Sequence, residues 1–451
     1  MAGPRGSSAD LVNAAPTRLR SHQWLLLGAA LLAIIVIAGL GYWTARSNRT
    51  GCAPELVASS ELRSPFDQGP PFADTAVQRL SVSLAPIGPT VAGVGYDYDR
   101  WLNLAALEHD LVAWTRYNPT WTMLDGQTLN PRWAARSPRS GMTWTASSDR
   151  FFAITGGARI RVSSMRISNG HPEWCRELPG AGSARDVATA VTADSGILIS
   201  TPLGSNSTLT RLSSRAGRVI WSTRLTTPAA SVVPIGKHTL VVGGQNYSTA
   251  FDPAQISTNN RPRLQGINNV NGHRLWTWQA ASAGTIQVLG TTSTEVAVAV
   301  VSPHRIRVLL IDQYGAERSL FDLPAQDLQA TVRGNLLVTR ETQPRHRLVG
   351  HDLATGAIRW KLPIARNPQF FPYGYNLAGA PALGSRHLLL GATDALVVLD
   401  LQTGRTQRHP LPTDGINTTF WPYQLALTGD GELLGVVTNT AAVVTRGQPR
   451  A

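Results

Sequence analysis

From residue 79 to residue 451 the chain repeats one pattern: a short apolar or alternating run, then Gly, Asn, Asp or Pro, then another run. Examples are "GILIS", "TLVVGG", "EVAVAVV", "RIRVLLI", "NLLVTR", "HLLLGA" and "ALVVLDL". Period-two alternation sends successive side chains to opposite faces of a sheet, and the punctuating residues favour tight turns. The pattern therefore predicts many short antiparallel strands. Two earlier stretches break it. Trp24 to Trp43, "WLLLGAALLAIIVIAGLGYW", holds 20 residues without a charge, matching the roughly 20 helical residues that cross a bilayer. Residues 51 to 78 are rich in Pro, Ser and small residues with no apolar period, the composition of a linker. The expected organisation is a cytoplasmic tail over 1–23, a transmembrane helix over 24–43, an extracytoplasmic tether over 44–78 and an all-β domain over 79–451.

The apolar segment reads as an uncleaved anchor. A signal peptide has a shorter core and a small-x-small site behind it, whereas Tyr42 and Trp43 stand at that place here. Arg5, Arg18 and Arg20 precede the segment and Arg46 and Arg49 follow it, a bias that favours a cytoplasmic N-terminus and an extracytoplasmic bulk. Cys52 in "NRTGC" lacks the apolar residues of a lipidation site and reads as an ordinary cysteine.

Within the β-domain the stretch "HDLATGAIRW" has relatives. Setting Trp360 against Trp133, Trp174, Trp221 and Trp276 aligns five copies, and two degenerate ones place Ser319 and Arg408 at the same position. A glycine stands four residues upstream in six copies (Gly170, Gly217, Gly272, Gly315, Gly356, Gly404) and an aspartate eight upstream in three (Asp125, Asp352, Asp400). Successive spacings are 41, 47, 55, 43, 41 and 48 residues, the period of four-stranded propeller blades. The aspartate suits a turn whose backbone it can bond, the glycine a positive φ, and the tryptophan a buried place between blades.

With its D-x-x-T-G-x-x-x-W turn and strand, the repeat resembles that of quinoprotein-type propellers. This resemblance implies an eight-bladed ring over residues 79–451, and a class that holds both quinone-dependent dehydrogenases and non-enzymatic scaffolds of outer-membrane assembly similar to BamB. The dehydrogenases of the class hold pyrroloquinoline quinone above calcium, against a vicinal disulfide. This chain has no Cys-Cys pair, its Cys52 and Cys175 being 123 positions apart, and no C-x-x-C-H. No catalytic, cofactor or metal residue carries over, and no cofactor is expected. The rival reading is a quinone-dependent dehydrogenase with a divergent site.

Blade count follows from the chain ends. One period past Arg408 runs beyond Ala451, leaving the last blade with "FWPYQLALT", "ELLGVVTN" and "AAVVTR" but no fourth strand, while "RLSVSLAPI" at 79–87 is a strand without a blade. The expectation is eight blades, that N-terminal strand completing the last, with a seven-bladed ring as the alternative.

Composition refines the picture. Charged residues are 15%, and arginine supplies 39 of the 41 basic residues, a usage typical of high-GC genomes such as those of actinobacteria. Residues 51 to 451 keep 36 basic and 27 acidic groups, a net +9. Such an excess tolerates anionic lipid or wall polymer. The expected partners are the membrane through Trp24 to Trp43 and another envelope protein or an anionic wall polymer, with no nucleic acid. His346 and His351 are five residues apart, facing opposite sides of a strand, which disfavours a metal site. Asp97 and Asp99 in "GYDYDRW" read as a solvated loop, "TGDGEL" at 428–433 as a hairpin, and the aromatic clusters "GVGYDYDRWLNL" and "NPQFFPYGYNLAG" as blade packing or a partner groove. No G-x-S-x-G or P-loop occurs, so nucleophilic and nucleotide chemistry lack support. Cys52 and Cys175 both fall outside the membrane with no third cysteine to compete, so a disulfide between them is expected, the alternative being free or intermolecularly paired thiols. The function expected is a non-catalytic binding or scaffolding module of the cell envelope.

Overall fold

The computed structural model describes residues 54–58, 87–95 and, with internal gaps of which the longest are 244–260, 365–381 and 411–423, residues 102–447. The chain divides into two compact units, Met1–Gly51 and Cys52–Ala451, and the described residues belong to the second. The expected transmembrane helix and most of the tether lie outside the described residues. Among those that are described, no helix is long and apolar enough to cross a membrane.

The described part is all-β, built from eight antiparallel sheets. In chain order, seven of them use four consecutive strands that end on the outer strands Pro131–Arg136, Pro172–Leu178, Val219–Leu225, Arg274–Gln279, Glu317–Pro324, Ile358–Pro363 and Thr406–Pro410. The eighth joins both ends of the unit: Gln424–Leu427, Leu433–Val437 and Ala441–Gly447, then Ile87–Gly95. The first strand of the third sheet lies against those of the second and fourth, that of the fifth against that of the sixth, and Leu102–Ala106 of the first sheet against Gln424–Leu427 of the eighth. This is the architecture of a β-propeller.

The described strand that pairs with the last one is Ile87–Gly95; of the expected 79–87 only Ile87 is described, paired opposite Gly447, and 79–86 lie outside the described residues. The alternation of "SVSL" pointed to the earlier segment, and the glycines and proline of "IGPTVAGVG" read as turn. Irregularities between Ile87 and Thr90 and between Val91 and Gly93 let Gly88, Pro89 and Ala92 fall out of the ladder, the accepted place for such residues in a strand. Glu55–Leu56, inside the expected tether, pairs with Arg136 and Ala135 as a fifth strand on the first sheet.

The core is a series of apolar layers between sheets. In "EVAVAVV", Val296, Val298 and Val300 enter the layer shared with the fourth sheet, and Ala297, Ala299 and Val301 the layer shared with the sixth. A strand buried on both faces reads as a continuous apolar run.

The repeated tryptophans bind these layers together. Trp133, Trp174, Trp221, Trp276 and Trp360 all sit on outer strands, and each donates its indole N–H to a backbone carbonyl of the following sheet. The acceptors are Ile167 at 2.6 Å, Ser214 at 2.7 Å, Asn269 at 2.8 Å, Gln313 at 2.9 Å and Leu401 at 2.8 Å. Each ring also covers the motif glycine of that following sheet: a Cβ on Gly217 would stand 2.4 Å from Trp174, and one on Gly404 2.8 Å from Trp360. The glycine is thus required twice, for its φ between 61° and 87° at these places and for the absence of a side chain beneath an indole.

The fifth sheet departs from the rule because Ser319 replaces the tryptophan. There Gly356 faces the Leu320 carbonyl. Phe321 stacks on His351 of the sixth sheet, centroids 3.9 Å apart and 15° from parallel.

Candidate functional site

A cleft of about 460 Å³ opens between the first two sheets. Its walls come from the start of the second strand in each sheet, at Asp110 and Asp149–Arg150, and from the motif region of the outer edge, at Arg132, Arg166 and Glu173. The bond from Trp133 to Ile167 fixes the turn that forms one wall, since Ile167 and Ser168 both line the cleft.

Three arginines dominate it, and each engages a carboxylate. Arg150 and Arg166 donate their Nε–H groups to the two oxygens of Glu173 at 2.7 and 2.8 Å. Arg150 also pairs with Asp149. Arg132 reaches Asp125 at 2.6 Å and Asp110 at 3.4 Å, while Asp110 accepts the Gly126 N–H at 2.9 Å. Burial pushes the Glu173 carboxyl up, but the bonds from Arg166 and Arg150 outweigh it and hold the group below the usual carboxylate range. Glu173 is thereby held as an acceptor for two guanidinium groups. Arg166 remains 59% exposed, with guanidinium N–H groups turned to solvent. Such a surface can hold carboxylate, phosphate or peptide carbonyl oxygens.

A second polar cluster lies sealed between the fifth and sixth sheets, where the tryptophan is missing. Glu341 and His351, 1% and 2% exposed, approach at 3.4 Å, and Thr339 lies 3.2 Å from the same His351 Nε2. Arg347 bonds the other Glu341 oxygen at 2.6 Å. In the other copies the His351 position is Leu124, Met165, Leu212, Ile267, Ile311 and Leu399. That contrast was available in the sequence and singles out His351 among the motif residues.

The repeat residues fall as follows. Asp352 Oδ1 accepts the backbone N–H groups of Ala354 and Thr355 at 2.9 and 3.0 Å, and Asp400 Oδ1 those of Gln402 and Thr403 at 2.8 and 3.0 Å. Asp125 serves the cleft through Arg132. Asp352, Gly356, Asp400 and Gly404 close turns and do not converge with the cleft. Cys175, on the outer strand of the second sheet, is disulfide-bonded, and Cys52 lies outside the described residues. Among the described residues no group of three or more His, Cys, Asp or Glu that could hold a metal ion is found. Asp97, Asp99, the 428–432 turn and the "NPQFFPYGYNLAG" cluster lie outside the described residues. Arg150 and Arg166, central to the cleft, carried no sequence signal, because they are distant from Arg132 along the chain and match no motif.

Comparison with known proteins places this architecture. No curated protein matches the chain in sequence. Among solved structures, the C-terminal WD40 domain of Sif2 superimposes with a TM-score of 0.52 at 10% identity, over 79% of this chain and 99% of that one. BamB from Moraxella catarrhalis gives 0.48 at 16% identity over 79% and 99%. A quinohemoprotein alcohol dehydrogenase from Pseudomonas putida HK5 gives 0.47 at 10% identity over 80% and 77%. At such identities the likeness shows the propeller fold alone. The family described as outer membrane protein assembly factor BamB matches residues 181–445, from just before the third sheet into the last strand. More than half of the sequence is thereby accounted for, and the chain belongs to that family.

Proposed function

We propose that this protein is a single-pass, membrane-anchored scaffold of the cell envelope. It holds an extracytoplasmic propeller against another envelope protein without catalysing a reaction. The observation that carries the reading is membership of a family described as an assembly factor, matched over residues 181–445. Two features of the chain support it. The charge-free run from Trp24 to Trp43 supplies an anchor of bilayer length, and each carboxylate of the cleft is paired with an arginine. In this proposal the propeller has eight blades, the last drawn from both chain ends, as the eight sheets and the pairing of Ile87–Gly95 with Ala441–Gly447 favour.

The test has two arms, both on the full chain in native membranes. A photo-crosslinker at Arg166, in the cleft, is expected to trap a discrete envelope protein. Incubation with quinone and calcium is expected to give no dye reduction with alcohols or sugars. Quinone-dependent turnover, or the absence of any protein adduct, overturns the scaffold.

A further inference from the structure

The outer strand of the third sheet, Val219–Leu225, combines three features that no other function of the fold requires. Among the described residues it is an edge: the strand pairs with Asn206–Leu212 on one side and ends the sheet on the other. The chain itself shows what such an edge can accept, since Glu55–Leu56 adds to the outer strand of the first sheet and Val57 donates its N–H to the Ala134 carbonyl at 2.9 Å.

Apolar groups accompany the edge. Val219 and Ile220 are 38% and 45% exposed, and Val270 is 69% exposed in the turn of the fourth sheet. That turn is held on the same strand by Trp221 and by Thr223, whose hydroxyl donates to Gly272 O at 2.9 Å. Aliphatic side chains held in water beside an unpaired ladder are the composition of a strand-accepting surface.

Charge selects the occupant. Residues 181–280 hold nine basic and three acidic groups, so this quarter of the chain carries +6 of the +9 beyond residue 50. Arg215, Arg218 and Arg224 flank the exposed valine and isoleucine and are themselves exposed. Among the described residues the paired cation of this sheet is the buried Arg211, bonded to Asp194. A second copy of this strand would bring like charges together, which disfavours self-pairing. An acidic strand meets the opposite situation.

We infer that Val219–Leu225 is a docking edge for an extended, acidic segment of a partner protein, added to the third sheet as a fifth strand with its apolar side chains on Val219, Ile220 and Val270. This rests on the scaffold reading and gives it a place on the molecule and a partner chemistry. Backbone hydrogen bonds supply a sequence-tolerant part of the affinity, and the arginines repel basic strands and favour acidic over neutral ones.

The experiment uses the full chain in lipid nanodiscs and a short peptide alternating glutamate and valine. Controls are a lysine–valine peptide, a glutamate–valine peptide N-methylated at alternate positions, and polyglutamate. Expected is saturable binding of the glutamate–valine peptide, at least about tenfold weaker for Arg218→Glu/Arg224→Glu. The N-methylated and lysine peptides should not bind. Both arginines are exposed, and an unchanged melting curve of the variant confirms that it folds. Equal binding of the N-methylated peptide or of polyglutamate makes the surface a general polyanion site and overturns strand addition. Undiminished binding to the variant, or no binding at all, also overturns it. Because the adducts at Arg166 are read separately, loss of this edge leaves the scaffold reading standing, and loss of that reading shows as missing adducts.

Discussion

The seam between a tryptophan and the next sheet's glycine can be separated from backbone strain by comparing two glycines with the same dihedral. Gly217 and Gly204 both have φ of 61°. A Cβ on Gly204 meets nothing within 4 Å, whereas one on Gly217 stands 2.4 Å from the Trp174 ring. Alanine at either site incurs the left-handed penalty of about 1–2 kcal/mol. At Gly217 the methyl must also displace an indole that is 2% exposed and tied by its N–H to Ser214 O at 2.7 Å, an overpacking cost of about 1–3 kcal/mol. Gly217→Ala is therefore expected to lower stability by about 2–5 kcal/mol and Gly204→Ala by about 1–2 kcal/mol. The excess should vanish in a Trp174→Ala background, which itself loses about 3–5 kcal/mol, because the methyl then has room. Urea unfolding followed by circular dichroism gives all four values as a double-mutant cycle. Equal costs at the two glycines, or an excess that survives removal of Trp174, refutes the stacked-seam account.

Three further outcomes are expected. His351→Leu, which restores the apolar residue of the other copies, strips Glu341 of a buried partner and should destabilise by about 1–3 kcal/mol in thermal unfolding. Adding Glu341→Leu should recover most of that loss, since apolar replacement of a whole buried pair is near neutral. Burial raises the Glu341 carboxyl, but bonds from His351 and Arg347 more than offset this and leave it below its ordinary 4.5. Its stabilisation is therefore complete above about pH 4.5 and lost as pH falls through the lowered folded value. Glu341→Gln should flatten that part of a pH–stability curve, and an unchanged curve counts against the assignment. Peptide mapping without reductant should recover Cys52 linked to Cys175, and reduction should lower stability by about 2–4 kcal/mol; labelling of both thiols in unreduced, denatured protein contradicts the link.

The fold was legible because one motif marks one strand in seven of the eight sheets. Trp133 through Trp360, with Ser319 and Arg408 at the degenerate positions, all fall on outer strands, and their spacing reports the sheet repeat. What the motif glycine touches was not legible, since the partner of Gly217 lies 43 positions back at Trp174 and conformational preference already explained a glycine there. The strand Ile87–Gly95 was hidden by Gly88, Pro89 and Gly93, which mark turns except where a ladder tolerates irregularity. Glu55–Leu56 is too short to show any period. The cleft was invisible for a different reason: its arginines are assembled by the approach of two sheets, and pairing with carboxylates leaves no trace in residue order.

The pairing of Ile87 with Gly447 sets a schedule for the newborn chain. The first partner is made 360 positions before the second, and synthesis at about 5–20 residues per second spans that interval in roughly 20–70 s. Throughout that time the early segment has no ladder to enter, and the first sheet faces water where the eighth will lie. Sheets between them can form in sequence as they emerge, each from consecutive strands, but the last waits until Ala441–Gly447 has been made. A truncated product is thus left with an exposed seam and an unmatched strand, which is what quality-control proteases and holdase chaperones recognise. Joining segments 360 positions apart in one sheet makes synthesis through Gly447 a condition for closing that sheet.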